Sequence, residues 1–191
     1  MALKVRRCQN KDAPQVHALM HANFNEYRES RGGHVPDSIV DRQLLPKYPL
    51  DEVRRRIREF PYWVAEENDD VIGMIGMHSH PEGKGLARAT NVNVYKQHRK
   101  KGIGKRLLAA LIRHARKKGF RRIYSISVLP SHDTYVALGY THYPEKDKYL
   151  NREPPPGHAE RYECECMREK RKSGWTPPNG QIDGYWLERA I

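Results

Sequence analysis

The chain has 191 residues and a formal net charge of +12, with 30% charged and 38% hydrophobic residues. Apolar runs such as VIGMIGM recur along it, which excludes an intrinsically disordered chain and leaves room for one core-bearing domain. No apolar stretch approaches the ~18 residues of a membrane span, and the first residues lack a signal-peptide core, so we expect a cytoplasmic protein with no membrane partner. Three cysteines without paired spacing predict free thiols and no metal site.

The first half of the chain predicts an alternation of helices and strands. Proline near the start of one segment and caps such as Asp12 and Asp51 predict helices at about 13–29, 37–45 and 52–60. Alternating apolar residues predict strands at 3–7, 62–67, 71–77 and 87–95. Asn68 and Asp69 favour a tight hairpin turn between the second and third of these strands.

The second half begins with the strongest helical pattern in the chain. Apolar residues recur every three or four positions from Ile103 to Ala115, the opposite face is basic, and Gly119 suits a C-terminal cap. A strand at 123–128, a short helix at 132–138 and strands at 140–143 and 161–167 are predicted next. We therefore predict one domain over residues 1–167 and an appended tail over 168–191.

The positive charge is concentrated in the middle of the chain. Residues 83–132 contain 14 Lys or Arg and no Asp or Glu, whereas the rest of the chain has 21 basic and 23 acidic residues. A bound anion is therefore expected in this central segment.

A glycine-rich turn opens the amphipathic helix inside that basic segment. Its sequence is Arg99-Lys100-Lys101-Gly102-Ile103-Gly104-Lys105. Unpaired backbone amides and the positive end of the helix dipole suit a phosphate or pyrophosphate at such a turn. A P-loop would need Ser or Thr where the chain has Arg106, and a dinucleotide fingerprint would need glycine where it has Leu107.

This turn resembles the Q/R-x-x-G-x-G/A signature of the GNAT acetyltransferases, which bind acetyl-CoA. The resemblance covers about residues 3–167 and implies an α/β fold with a mixed, mostly antiparallel sheet of about seven strands, about four helices and a splayed strand pair. It also implies that the strand at Val92, Asn93 and Val94 binds the pantetheine arm through its backbone. The pyrophosphate and nucleotide phosphates would bind at Arg99, Lys100, Lys101, Gly102, Ile103, Gly104 and Lys105.

A second motif, Tyr135-Val136-Ala137-Leu138-Gly139-Tyr140, resembles the Tyr-x-x-Leu-Gly-Phe segment of the same family. The resemblance places Tyr135 beside the coenzyme's sulfur as the general acid. A phenol with a pKa near 10 is a reasonable match to a departing alkyl thiolate. The family often has an Asn shortly before this tyrosine; the chain has none there, and Ser131 is the expected substitute.

The residue that deprotonates the acceptor amine has no motif. His78 and His80 would share one strand face near the expected acceptor side, and imidazole titrates in a suitable range. Glu66 and Glu67 are alternatives for this base. Both histidines could equally be surface residues, and Cys164 and Cys166 are most simply read as inert thiols.

These features predict an N-acetyltransferase that moves the acetyl group of acetyl-CoA to a primary amine by direct attack in a ternary complex. The expected acceptor is a small amine or a protein amine, because the predicted acceptor wall is mixed in sign and contains Glu26, Glu29, Asp37, Asp41, Glu66 and Glu67. An amine on nucleic acid such as aminoacyl-tRNA, a non-catalytic nucleic-acid-binding module and a coenzyme sensor are the alternatives. The oligomeric state is open, and a dimer is compatible with the sequence.

Overall fold

Seven strands and three α-helices form in the part of the chain that the computed structural model describes, which is residues 3–30, 48–79, 85–127, 135, 137–142 and 185–191. The helices are α1 (Ala13–Ser30), α2 (Leu50–Glu59) and α3 (Ile103–Lys117). The strands are β1 (Lys4–Arg7), β2 (Tyr62–Glu67), β3 (Asp70–Ser79), β4 (Leu86–Val94), β5 (Arg122–Ser127), β6 (Thr141–His142) and β7 (Tyr185–Ala190). The helix predicted at 37–45 lies outside the described residues.

One mixed sheet contains all seven strands in the order β1-β2-β3-β4-β5-β7-β6. Only β4 and β5 run parallel; every other neighbouring pair is antiparallel. The predicted turn between β2 and β3 is confirmed, because Asn68 and Asp69 have φ values of 54° and 66°, the left-handed conformation that a tight hairpin requires. The mixed, mostly antiparallel α/β fold expected from the sequence is therefore confirmed.

Helix α3 covers one face of the sheet. Its apolar stripe, which includes Leu107 and Leu111, is fully buried against β2, β3 and β4. Burial of each such leucine stabilises the fold by about 1.5–3 kcal/mol relative to exposure. Gly73 on β3 faces this helix, and a Cβ there would lie 3.1 Å from the Ile103 side chain. The start of α3 is therefore packed closely against the middle of the sheet.

Helices α1 and α2 cover the opposite face. Val16 and Met20 of α1 and Val53 and Ile57 of α2 form a second core with the inner residues of β2 and β3. The edge of this layer is fixed by Arg6, whose guanidinium donates to both oxygens of the buried Asp12 at 2.7 and 3.0 Å and to Glu66 at 2.8 Å. The sheet therefore separates two clusters of buried side chains in the described structure.

The C-terminal strand β7 was not predicted. The sequence predicts a tail at residues 185–190, but these residues pair with β5 over six residues and also with β6. β7 pairs with the edge of β5 opposite β4, whose backbone groups need a partner. The boundary predicted at residue 167 and the strand predicted at 161–167 lie outside the described residues.

Candidate active site

The sheet opens between β4 and β5. These strands pair only at Leu86↔Arg122, Ala87↔Ile123 and Arg88↔Tyr124, after which β4 continues to Val94 and β5 to Ser127. Parallel strands that diverge at their carboxyl ends leave unpaired backbone groups on both sides of a cleft. The predicted splayed strand pair is therefore present in the described structure.

A bulge in β4 lies at the start of this opening. Met74 pairs with Asn93 and Gly76 with Thr90, so β4 has one more residue than β3 over this stretch, and Asn91 has a φ of 51°. The extra residue shifts the alternation of the strand by one position. As a result Val92 and Val94 join Ala87 and Ala89 on the α3 face.

The predicted glycine turn follows β4 directly. Lys100 and Gly102 have φ values of 62° and 76°, a conformation that glycine adopts at little cost, and α3 begins at Ile103. The first backbone hydrogen bond of the helix runs from the Arg106 amide to the Gly102 carbonyl at 3.1 Å. The amides of residues 103–105 precede that bond, and the first turn contains no acidic residue. This arrangement suits an approaching anion.

The surface of the turn is open. A Cβ at Gly104 would have no heavy atom within 4 Å, and Lys100, Lys101 and Lys105 are exposed. The predicted phosphate ligands therefore surround an accessible backbone segment at the end of β4. The donor set, backbone amides with flanking ammonium groups, matches the chemistry of a pyrophosphate.

Arg99 is placed differently from the neighbouring lysines. Its guanidinium donates to both carboxylate oxygens of Glu26 at 2.7 and 2.8 Å and also to Asn23, and its Nε donates to the Val94 carbonyl at 3.0 Å. This side chain therefore fastens the turn and the end of β4 to helix α1.

Tyr135 lies in the interior near the cleft. Its carbonyl accepts hydrogen bonds from the amides of Leu138 and Tyr140, both at 3.0 Å, and its ring meets the Tyr140 ring edge to face at 5.2 Å. Burial raises the pKa of the Tyr135 phenol, the Tyr140 ring adds to the shift, and Ser125 and Arg88 oppose it. The phenol is therefore protonated at neutral pH, the form that a general acid requires.

The strand β7 supports this segment. The Arg189 guanidinium donates to the Leu138 carbonyl, which ties the Leu138-Gly139 turn to the sheet. No sequence motif indicated this support, because Arg189 lies about fifty residues after the turn that it holds. Ser131, predicted as a contact near the coenzyme, lies outside the described residues.

His78 occupies the α2 face of the sheet. Its ring lies 3.9 Å from the Phe60 ring centroid and 6.3 Å from that of Tyr62. Burial, assisted by the positive charges of Arg56 and Arg88, lowers the pKa of His78 to about 4. The imidazole is therefore neutral at pH 7 but only weakly basic.

The other candidates for the base are engaged elsewhere or lie outside the described residues. Glu66 is bonded to Arg6 at the far edge of the sheet, and the Glu67 carboxylate lies 3.7 Å from His98. His80 lies outside the described residues. Within the described ranges no three His, Cys, Asp or Glu side chains form a potential metal site, and no helix is long and apolar enough to cross a membrane.

A small pocket on the α1/α2 face was missed by the sequence analysis. Its cavity volume is about 10 Å³, room for no more than one water molecule, and the described residues that line it are mostly apolar. Its polar lining consists of Tyr48, Arg56, Tyr62 and Asn91. The Asn91 amide donates to the Tyr62 hydroxyl at 3.0 Å, which connects the pocket to the β4 bulge. The one sequence signal was Asn91 itself, a poor strand former within a strand.

Comparisons with known proteins agree with this architecture. The sequence profile of the acetyltransferase (GNAT) family matches residues 20–140. A relative from Bacillus subtilis, the uncharacterized N-acetyltransferase YycN, is 30% identical over 106 residues, which are 53% of this chain and 66% of that protein.

Two solved structures share the fold at low sequence identity. PaiA N-acetyltransferase from Thermoplasma acidophilum, in complex with coenzyme A, has a TM-score of 0.62 and 13% identity over the full length of both chains. N-acetylglutamate synthase from Neisseria gonorrhoeae, complexed with coenzyme A and N-acetyl-glutamate, has a TM-score of 0.64 and 18% identity. The match to the synthase covers all of this chain but only 35% of the synthase.

Proposed function

Because the chain belongs to the acetyltransferase (GNAT) family, we propose that it transfers the acetyl group of acetyl-CoA to a primary amine by direct attack in a ternary complex. The observation that carries this proposal is the β4/β5 opening, which has the amide-rich start of α3 on one side and the protonated Tyr135 on the other. The acceptor is a small amine or an exposed protein amine.

Backbone groups hold most of the coenzyme in this proposal. The amides of residues 103–105 bind the pyrophosphate, with Lys100, Lys101 and Lys105 adding positive charge around it. Val92, Asn93 and Val94 bind the pantetheine arm through backbone groups on the stretch of β4 that has no β5 partner. Arg99 keeps this stretch in place through its bonds to the Val94 carbonyl and Glu26.

Tyr135 supplies the proton that the leaving group needs. The nitrogen lone pair of the neutral amine attacks the thioester carbonyl carbon, and the carbon–sulfur bond then breaks with both electrons on sulfur. Tyr135 donates its phenolic proton to that sulfur, the nitrogen loses one proton to solvent, and Tyr135 regains a proton before the next turnover. The products are the N-acetyl amine and the free thiol of coenzyme A.

His78 lies on the α2 face of the sheet beside Phe60 and Tyr62, and we propose that it accepts a hydrogen bond from the attacking amine. With a pKa of about 4 it removes a proton poorly in the free protein. Solvent water is therefore the proposed acceptor of the proton.

Gly104→Glu tests the coenzyme site. The new side chain enters open space, so the fold should be retained, but its bulk and negative charge would occupy the approach to the amides of residues 103–105. Calorimetry should show acetyl-CoA affinity reduced by at least about 100-fold, which corresponds to the loss of one or two charge-assisted contacts.

Gly104→Ala and Gly104→Gln separate the effects of bulk and charge. The Gly104→Ala protein should bind acetyl-CoA nearly as well as wild type. The affinity of Gly104→Gln should lie between those of Gly104→Ala and Gly104→Glu. Wild-type affinity in a folded Gly104→Glu protein would contradict the proposed coenzyme site.

A further inference from the structure

Tyr62 connects strands that are not neighbours in the sheet. It begins β2, it is only 2% exposed, and its hydroxyl accepts a hydrogen bond of 3.0 Å from the side-chain amide of Asn91 on β4. Strand β3 lies between β2 and β4, so the Tyr62 ring must cross it to make this bond. The bond therefore ties β2 directly to the bulge of β4.

Gly76 on β3 provides the space for this crossing. It is the register partner of Tyr62, and a Cβ at this position would lie 2.5 Å from the Tyr62 ring. Any side chain here would therefore overlap the ring and displace it. The missing side chain at Gly76 allows the Tyr62 hydroxyl to reach Asn91.

Asn91 has an unusual backbone conformation for a residue within a strand. Its φ of 51° lies in the left-handed region, which non-glycine residues seldom occupy, although Asn does so more readily than most. A residue keeps such a conformation only where its surroundings favour it. The hydrogen bond to the buried Tyr62 hydroxyl supplies support of this kind from outside β4 itself.

The bulge at Asn91 decides where the next residues of β4 lie. It places Val92 and Val94 on the α3 face, and this stretch of β4 has no β5 partner. With one neighbouring strand absent, the position of the stretch depends more strongly on how the bulge is held. A contact that fixes Asn91 therefore fixes the start of the stretch proposed to bind the pantetheine arm.

Tyr62 also contacts the residue proposed to bind the attacking amine. The centroids of the Tyr62 and His78 rings are 6.3 Å apart, and the two rings meet edge to face. Phe60 packs on His78 from another direction, with 3.9 Å between the ring centroids. One buried phenol thus contacts both the bulge before the pantetheine stretch and the imidazole on the amine side.

We propose that Tyr62 and Asn91 are positioning residues, which align the thioester of acetyl-CoA with the attacking amine. Their hydrogen bond fixes the β4 bulge, and the Tyr62 ring holds His78 relative to that bulge. This proposal rests on the proposed acetyl transfer. It adds two residues that belong neither to the glycine turn nor to the Tyr135 segment and that act through the groups they hold.

The expected effect is on the rate and not on coenzyme affinity. In the proposed coenzyme site the pyrophosphate is bound at the amides of residues 103–105, on the α3 face, whereas Tyr62 and Asn91 meet on the opposite face. A displacement of about 1 Å between two reacting groups can lower a rate by about 100-fold. Loss of the Tyr62–Asn91 bond should cause part of that effect.

Tyr62→Phe and Tyr48→Phe form a matched pair of variants. Both remove a hydroxyl from the lining of the same small pocket, but only Tyr62→Phe breaks the bond from Asn91. Thiol release from acetyl-CoA is measured with n-butylamine, L-lysine and a tripeptide with a free amino group, and the amine that wild type uses fastest is kept for the variants. Tyr62→Phe should lower kcat/KM for that amine about tenfold and change acetyl-CoA affinity less than about threefold. Tyr48→Phe should change neither, and equal effects of the two variants would contradict the assignment of Tyr62.

A double-mutant cycle tests whether the two residues act through one bond. Asn91→Gly keeps access to the left-handed conformation and removes only the side chain. It should lower kcat/KM about as much as Tyr62→Phe, and the double variant should lie within about twofold of either single variant. Asn68→Gly, at another left-handed residue with a φ of 54° in the β2/β3 turn, is the control and should leave kcat/KM unchanged. Losses that multiply in the double variant would overturn the proposal.

Hydrogen exchange tests the support of the bulge without turnover. In the free protein, Tyr62→Phe and Asn91→Gly should each speed exchange of the backbone amides of residues 91–94 at least about threefold, the scale of one hydrogen bond. The amides of residues 107–111 in α3 should not change. Unchanged exchange at residues 91–94 would overturn the proposal. If exchange rises there but wild type acetylates none of the three amines, the proposed activity fails and the support of the bulge by Tyr62 stands.

Discussion

The two faces of the sheet near β4 are built in different ways. On the α3 face, the proposed coenzyme site consists mainly of backbone: the amides of residues 103–105 and the edge of β4 that has no β5 partner. On the α1/α2 face, the small pocket is lined by side chains from separate elements, with Arg56 on α2, Tyr62 on β2 and Asn91 on β4. The bulge at Asn91 affects both faces: Asn91 lines the pocket, and the extra residue places Val92 and Val94 on the α3 face.

This difference explains why the proposed coenzyme site can be recognised from the sequence, whereas the α1/α2 face can be adapted to a particular ligand. A backbone site needs glycine and a helix start at one point in the chain, so it tolerates changes in most side chains around it. A side-chain pocket can change its ligand through one substitution. We therefore expect truncation of side chains to affect the acceptor face more than the coenzyme face.

The largest effect on turnover is expected from Tyr135→Phe, because Tyr135 is the proposed donor of the proton that the leaving thiolate needs. The ring packing against Tyr140 is kept and only the phenolic proton is lost, so turnover should fall about 100-fold while acetyl-CoA affinity stays within about twofold. Steady-state kinetics and calorimetry on the same preparation check both values. Turnover within about threefold of wild type would assign the proton to another group.

Gly76→Ala should damage the acceptor face alone. A Cβ at Gly76 would lie 2.5 Å from the Tyr62 ring, which is buried and cannot move freely. Overpacking of this kind costs about 1–3 kcal/mol and would displace the Tyr62 hydroxyl from Asn91. Thermal unfolding should show the lower stability, and KM for the acceptor should rise with little change in acetyl-CoA affinity.

Gly104→Ala is the control for this substitution, because a Cβ at Gly104 meets no heavy atom within 4 Å. It should leave both stability and acceptor KM close to wild type. A stable Gly76→Ala protein with unchanged acceptor KM would mean that Tyr62 does not position the acceptor.

Arg6→Gln tests the ion pairs that Arg6 makes with Asp12, just before α1, and with Glu66 on β2. Burial raises the pKa of Asp12, but hydrogen bonds from Arg6 outweigh this and leave it below its usual value; Arg6 also lowers the pKa of Glu66. These carboxylates therefore stabilise the fold above about pH 4–5 and lose that contribution as the pH falls. Arg6→Gln should lower the free energy of unfolding by about 2 kcal/mol at pH 7 and by much less near pH 3.

Chemical denaturation of both proteins across this pH range measures that difference. The difference in the free energy of unfolding between wild type and Arg6→Gln should decrease steadily as the pH falls. A gap that stays constant down to pH 3 would show that Arg6 contributes by packing and not through its carboxylate partners.

The smallest effect is expected from Arg99→Ala on coenzyme affinity. Its guanidinium is engaged by Glu26 and Asn23, so its removal should weaken acetyl-CoA binding by no more than about threefold, the scale of an exposed ion pair. Simultaneous change of Lys100, Lys101 and Lys105 to Gln should have a larger effect of about tenfold or more. A loss above tenfold for Arg99→Ala alone would make this side chain a direct phosphate ligand.

Short-range patterns were enough to predict the helix α3, the glycine turn before it and the β2/β3 hairpin turn. The apolar stripe of α3, the glycine turn before it and the hairpin at Asn68 and Asp69 depend on residues within one turn or a few positions of each other. Their geometry is dictated by backbone sterics and by helix periodicity, which act locally. The family resemblance then extended these local features to the whole fold.

Side-chain neighbours across the sheet could not be found in the same way. Arg56 and His78 are twenty-two residues apart, and Arg189 and Leu138 are fifty-one residues apart, yet packing brings each pair together. The bulge at Asn91 also changed which residues of β4 share a face, and the pairing of β7 with β5 brought the end of the chain into the sheet. These outcomes depend on which strand fills a free edge and where one extra residue enters a ladder, and both are decided by tertiary hydrogen bonding and burial.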